Sequence, residues 1–520
     1  MTIPVLMCLA LVAICYTQEL VVEDRPLNIL LLNGLFAGHL FPLVSLGEEL
    51  VSRGHNVSLC STVMEGSKLL PNLPESVGIK FLNAGLDVIT LEEFEAQTRN
   101  QKDGPGGAAV ADFATVAHQS AVKILNKLET YGIERFDMIV CDFSVIPIGL
   151  HYAILGRKVI AFSSMLPPYP AIESPWPLPF TLSGGQSDDL SFLERLQNSI
   201  LAPLLIPAWN YIIWIICKGD ERLETTLNGI NFMRYPGINI PHLITSVIGF
   251  DTPALRTPLR HYVGPMVKKR TDKLAEDLEE WLSNKRERSV IYISMGTTGY
   301  VSGDVARAII ESVMATKFDA VWALRDNNRG SIEGVEIDDN RIFISGWVSQ
   351  QTILAHASIR LCILHCGLNS VQESLYNGLP VVCLPHAFDH FATGGTIRNI
   401  RVGISMYSFF DSILGHTNVS AKDLTNAITT VSSDEYVANA RRVSLMYKFA
   451  GGAETAAGLV EYYTDVGYDH LIPAFARYQW SWIQYRNLDV CVVLFSILAV
   501  FTFLLYKCLY SCVYVKACRK

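Results

Sequence analysis

The 520-residue sequence predicts an α/β fold: two doubly wound domains facing each other across a cleft, then one membrane-spanning helix. Three observations predict it. Short apolar runs alternate with amphipathic stretches in two separate blocks, one beginning at Leu27 and the other at Ser289. A stretch rich in proline and charge, TPALRTPLRHYVGPMVKKRTDK, divides the blocks. Near the end, the uncharged run VCVVLFSILAVFTFLLY (Val490–Tyr506) is followed by Lys507, Lys516, Arg519 and Lys520.

In the first block NILLLN reads as a strand, PLVSLGEELVSR as a helix stopped by Gly54, and NVSLCS as the next strand. The order recurs in FDMIVC, VIPIGLHYAIL with Gly156 behind it, and KVIAFS. The second block opens with the strand SVIYIS, the glycine-rich loop MGTTGYVSG, the helix VARAIIESVMA and the strand DAVWAL. RIFIS, the helix around QQTILAHA, the strand IRLCIL, the helix SVQESLYN and the strand VVCLP complete it. Repeated β-α-β units give parallel sheets with helices on both faces, and ligands of such sheets bind beyond the carboxyl ends of the strands.

The chain ends carry addresses. Residues 1–17, MTIPVLMCLALVAICYT, have the length of a signal peptide, while 490–506 can span a bilayer with the basic tail 507–520 cytosolic. Between them the expected units are 18–262, a linker at 263–285, 286–470, and a juxtamembrane segment at 471–489. SILAPLLIPAWNYIIWIIC (Ser199–Cys217), apolar but broken by Pro203 and Pro207, is expected to lie in the membrane interface or to wall a pocket. A net charge of −8 carries no basic footprint and argues against nucleic acid. The cysteines form no disulfide framework: Cys60, Cys141, Cys362 and Cys383 sit on apolar strands, where a free thiol is a small hydrophobe. No C-x-x-C or D-x-D occurs, so no metal site is expected and no cofactor is required. The sequons Asn56-Val-Ser and Asn418-Val-Ser are candidate glycan sites, Asn418 the more accessible of the two.

LHCGLNSVQESLYNGLP (Leu364–Pro380) concentrates polar chemistry at a strand-to-helix turn. His365 ends the strand, Gly367 lets backbone approach a ligand, and Ser370 opens a helix whose unpaired N–H groups favour phosphate. Glu373, three residues after Ser370, could instead complete a capping box with no ligand involved. In the first block His39 lies between the first strand and helix, and Asp142 ends FDMIVCD. Both could reach one pocket, where a carboxylate would orient the imidazole as a general base.

The stretch from Trp347 to Asp389 resembles the signature of the UDP-glycosyltransferases. It runs from tryptophan and Gln350 through L-A-H, H-C-G-x-N-S-x-x-E and G-x-P to an acidic residue. G-H-x-x-P at His39, V-x-D at Asp142 and the terminal span extend the likeness to a membrane-anchored, UDP-glucuronosyltransferase-like branch. The resemblance implies two Rossmann-like domains in the GT-B arrangement and an inverting transfer from a UDP-sugar. It implies that Trp347 stacks on uracil, that Gln350 contacts base or ribose, and that Glu373 accepts from ribose hydroxyls. His365 and the amides of Gly367 to Ser370 would hold diphosphate with Asn369 assisting, and Ser294, Gly296 and Thr297 would form a second phosphate loop. Asp389 would grip sugar hydroxyls. The chain departs from the family at His390 (usually glutamine), Thr393 (commonly asparagine) and Ser349 (usually proline), which leaves the sugar open.

The resulting expectation is transfer of a hexose or hexuronic acid to a hydroxyl of a small lipophilic acceptor, His39 as base and Asp142 orienting it. The enzyme would be a single-pass type I protein with lumenal domains, placed in the endoplasmic reticulum by the resemblance, and could assemble as a homo-oligomer. The alternative is a membrane-anchored binding protein without catalysis.

Overall fold

In a computed structural model, the structure describes residues 25–34, 37–63, 76–86, 107–164, 214–215, 217–229, 240–251, 258–267, 273–296, 301–386, 388–408, 411, 418–472 and 487–517. The expected signal peptide, Thr297 and nearly all of Ser199–Cys217 lie outside them.

The first sheet has seven parallel strands in the order β3-β2-β1-β4-β5-β6-β7. They are β1 Asn28–Leu32, β2 Asn56–Val63, β3 Lys80–Leu86, β4 Met138–Asp142, β5 Val159–Ser163, β6 His242–Ile244 and β7 Arg260–Tyr262. Strands β4 and β5 are buried along their whole length, which is why they read as continuous apolar runs rather than alternating ones. Helix α1 (Ala37–Ser52) covers one face, while α2 (Gly107–Tyr131), α3 (Ile146–Ile154) and α4 (Glu221–Gly229) cover the other.

The second sheet is six parallel strands, β10-β9-β8-β11-β12-β13. Its strands are β8 Val290–Ser294, β9 Asp319–Ala323, β10 Ile342–Ser345, β11 Ile359–Leu364, β12 Val381–Cys383 and β13 Gly403–Ser405. Helices α5 (Glu276–Ser283), α7 (Gln350–Leu354), α8 (Leu368–Tyr376) and α11 (Asp434–Ala450) share a core with one face. The other face packs against α6 (Gly303–Met314) and α10 (Ala421–Val431). Helix α9 (Phe388–Asn399) lies between β12 and β13 in the chain.

Three findings revise the sequence reading. Helix α12 (Ala453–Val466), inside the stretch assigned to the second domain, completes the core of the first through Ala456, Ala457, Val460 and Tyr463. Amphipathic periodicity fixes which face of a helix is buried but not which sheet it covers. Of the expected linker 263–285, Val263 and Met266 are buried in the first core and Leu278 and Leu282 in the second. Cys383 is not a free thiol: it is disulfide-bonded to Cys366, because β11 and β12 are parallel neighbours whose ends bring the two residues together.

The last helix, α13 (Leu488–Ala517), contains the 20-residue stretch Leu488–Lys507, long and apolar enough to cross a membrane. Its large side chains, Phe495, Phe501 and Leu504 among them, are exposed rather than packed on either sheet. At 1.5 Å per residue such a stretch reaches about 30 Å, the thickness of a hydrocarbon core.

Candidate active site

In each sheet the strand order reverses once, between β1 and β4 and between β8 and β11. Chains leaving neighbouring strands there go opposite ways and open a crevice. Most residues described next stand at or beyond the carboxyl end of a strand of these two sheets, or on a helix that follows one.

Asp142 is the last residue of β4 and fully buried. His39 sits in the first turn of α1, and its Nδ1 lies 2.9 Å from Asp142 Oδ1. The same Oδ1 accepts from the backbone N–H of Ser144 at 2.9 Å and from its Oγ at 2.5 Å, while Oδ2 is buried without a partner. Gly34 makes room for Ser144, since a Cβ on residue 34 would run into the serine hydroxyl. Burial alone would lower the His39 pKa. The facing, hydrogen-bonded Asp142 carboxylate outweighs it, with a smaller contribution from Asp389, and holds the imidazole above its ordinary value.

Helix α1 begins at Ala37, not at Pro42 as expected, so Pro42 falls inside it. A proline there has no N–H for the carbonyl four residues back, that of Gly38. Asn369 Nδ2, from the second lobe, donates to that carbonyl instead. One turn further along α8, Gln372 Nε2 donates to the carbonyl of Thr245, just past β6. The first turn of α8 thus meets the residue that precedes His39.

In the second lobe Ser294 ends β8 and His365 follows β11. The His365 ring is held between two glycines: a Cβ on Gly296 would lie 2.5 Å from its Cε1, and one on Gly367 2.5 Å from its Nε2. Burial first, then His390 and His386, push His365 well below the ordinary value, so the ring is neutral; its Nδ1 is buried without a protein partner, as suits a group that pairs with a ligand. Helix α8 starts at Leu368 with Gly367 as its N-cap and no side-chain cap, two residues earlier than the expected opening at Ser370. Glu373 is therefore not a capping residue. Its Oε2 accepts from Gln350 Nε2 at 2.6 Å and its Oε1 from Gln351 Nε2 at 2.9 Å. Gln350 Nε2 also reaches Ser370 Oγ, and its Oε1 accepts from Tyr292 OH. The first-turn amides of α8 have no acceptor within the helix, which begins just past the end of β11.

Asp389 and His390 open α9. The His390 ring meets His365 edge-on at 4.9 Å between centroids, and its Nδ1 accepts from the His386 backbone N–H at 3.2 Å. Burial and then His386 push His390 down to about 3, so it too is neutral. Burial raises the Asp389 carboxyl despite the opposing pull of His39 and His365. Thr393 is buried and donates to the Asp389 carbonyl, and Ser349 Oγ lies 2.9 Å from Thr352 Oγ1, so two of the departures serve local structure. Trp347, two residues past β10, is 65% exposed. Thr297 lies outside the described residues.

His39 and Asp142 are brought together in one lobe, and Ser294, Gly296, His365, Gly367, Asn369 and Ser370 in the other. Sequence reasoning missed Ser144, Gln372 and the cystine. Ser144 had a signal in D-x-S, the local side-chain-to-backbone turn pattern; Gln372 and the cystine depend on lobe and strand adjacency, for which no local signal exists. Asn56 and Asn418 are both exposed, but Val57 and Ser58 of the first sequon are buried in β2, which Asn56 starts while donating to Asn28 Oδ1 at 3.2 Å. Among the described residues no group of three His, Cys, Asp or Glu side chains is placed to hold a metal ion.

Comparison with known proteins adds an independent line. The family model described as UDP-glucoronosyl and UDP-glucosyl transferase matches residues 171–520. A 2-hydroxyacylsphingosine 1-beta-galactosyltransferase of Mus musculus is 26% identical over 486 residues, 88% of this chain and 84% of that protein. UDP-glucuronosyltransferase 2B19 of Macaca fascicularis is 26% identical across 75% of this chain and 72% of its own length. Among solved structures, a UDP-glucosyltransferase from Polygonum tinctorium superposes with a TM-score of 0.58 at 18% identity, covering 85% of this chain and 99% of that one. The calicheamicin glycosyltransferase CalG4 does so at 0.57 and 18%, covering 84% and 98%. At that identity the structures speak for the fold: two facing parallel-sheet lobes of the GT-B kind.

Proposed function

The chain belongs to the UDP-glucoronosyl and UDP-glucosyl transferase family, whose model spans residues 171–520, and from that premise we propose an inverting transfer from a UDP-sugar to a hydroxyl of a small lipophilic acceptor. One observation carries the reading. A histidine–carboxylate pair in the first lobe and a glycine-lined, helix-capped cradle in the second are joined by the Asn369–Gly38 contact.

With Nδ1 donating to Asp142, Nε2 of His39 carries the lone pair and serves as base. It takes the proton from the acceptor hydroxyl as that oxygen attacks the anomeric carbon. The bond to UDP breaks on the opposite face and UDP leaves with the electron pair, so configuration inverts. Asp142 stabilises the imidazolium that forms. The departing charge falls on the first amides of α8 beside neutral His365, which this reading uses in place of a metal ion. In this reading Ser294 and Gly296 border the phosphates, Trp347 stacks on the base, Gln350 and Glu373 take the nucleoside, and Asp389 and His390 face the sugar.

The relatives named above transfer galactose, glucuronic acid or glucose, and the donor proposed here is accordingly a hexose or hexuronic acid. A type I arrangement in the endoplasmic reticulum, body in the lumen and α13 across the bilayer, agrees with the cystine, since disulfides persist in oxidising compartments. Full-length protein in detergent is incubated with UDP-glucuronate, UDP-glucose or UDP-galactose and a mixed panel of phenols and lipid alcohols, and products are weighed by mass spectrometry. An acceptor heavier by one sugar, with stoichiometric UDP, is the expected result. UDP binding with no transfer across the panel would turn the reading toward a binding protein.

A further inference from the structure

The turn between β11 and α8 carries a covalent link that this chemistry does not use. Cys366 stands between His365 and Gly367 with φ +71°, in the left-handed region that a residue bearing a Cβ enters only at a cost. It is buried and bonded to Cys383, the last residue of β12. Cys383 pairs in register with Leu364, so the bond ties the segment just past one strand to the end of its neighbour. Three residues beyond Cys383, the His386 N–H holds His390 Nδ1, and Asp389 stands beside that ring. Gly394 of α9 lies over the same sulfur, where an added Cβ would be 3.6 Å from Cys366 Sγ. The cystine therefore sits beneath both loops that the proposed function assigns to the donor, diphosphate on one and sugar on the other.

We propose that the Cys366–Cys383 cystine is a positioning element of the donor site. It holds residue 366 left-handed, and through that backbone it keeps His365 between Gly296 and Gly367 and the α8 amides aimed at diphosphate. This rests on the UDP-sugar reading of the same site. A glycine at 366 would adopt the conformation unaided, so the pair does with a covalent bond what glycine does with backbone freedom. Reduction by a dithiol adds two electrons and two protons, yields two thiols and oxidises the reagent to its own disulfide; the turn is then free to relax.

The test is UDP titration of full-length protein in detergent, before and after dithiothreitol, with alkylation of the Cys366 and Cys383 peptides read by mass spectrometry. Untreated protein binds UDP and resists alkylation at both positions. Reduced protein binds about tenfold more weakly, the size of one left-handed backbone penalty. Cys383→Ala reproduces the loss without reductant; adding Cys366→Gly restores the affinity, and adding Cys366→Ala does not. Should Cys383→Ala fail to fold, the reductant titration alone decides. Equal UDP affinity before and after complete reduction overturns the positioning role while leaving the donor reading intact. Free thiols at both positions in untreated protein overturn it as well. Untreated protein that binds no UDP defeats the donor reading, and this inference with it.

Discussion

His39 and Asp142 are 103 residues apart in sequence and 2.9 Å apart in the fold. Their proximity was legible because one follows and the other ends a parallel strand, and the ends of neighbouring strands lie together. Ser144 was not, yet its two bonds to Oδ1 are what keep the buried carboxylate in place. The pair sets a pH dependence. As the proposed base, His39 must be neutral, and its pKa is held above the ordinary value, so activity should fall on the acid side as pH drops through that raised value. The sign for stability is opposite: the His39⁺–Asp142 attraction is fully present below the unfolded-state pKa and is lost as pH rises through the folded one. Asp142→Asn removes the main raising influence and leaves burial, which lowers. The acid limb of the kcat profile should therefore move to lower pH while kcat drops about 10³-fold or more for want of the right tautomer. An unmoved limb in the Asn variant would detach Asp142 from the base.

At the scale of elements, strands were the most readable part because buried parallel strands are unbroken apolar runs. Short β6, β7 and β13 left no such run. The start of α1 was misplaced by five residues because Pro42 looks like a first-turn residue; in the structure its missing N–H releases the Gly38 carbonyl to the other lobe. The start of α8 was read from Ser370, whereas Gly367 caps it and Glu373 holds two glutamines. Gly367 is a clean probe of this cradle, because its φ of −58° suits any residue and only the His365 ring objects to a Cβ. Gly367→Ala should fold with an unchanged melting temperature and lose about 10- to 100-fold in kcat/KM for the UDP-sugar, the scale of a displacement near 1 Å. Wild-type kcat/KM in that variant would remove the seat of His365 from donor recognition.

Across the whole molecule, two doubly wound lobes and a terminal span could be read from the order of apolar runs, but the way they hold together could not. Helix α12 returns to the first lobe, where Glu461 pairs with Arg53 at 2.8 Å and with His55 at 2.9 Å. Phe250, beyond β6, packs on Tyr447 of α11 at 5.7 Å between ring centroids. Those crossings hold the two lobes against each other, and no local pattern encodes them. The proposed transfer requires a division of labour, the base on one lobe and the leaving-group site on the other. The direct measurement is His39→Ala in full-length protein, followed for UDP affinity and for transfer to the acceptor that the wild type uses. Asp142 keeps both Ser144 donors in that variant, so the fold should survive. UDP affinity within about threefold of wild type, with transfer reduced by at least about 10²-fold, is the predicted result. Transfer at the wild-type rate, or loss of UDP binding together with transfer, would contradict it.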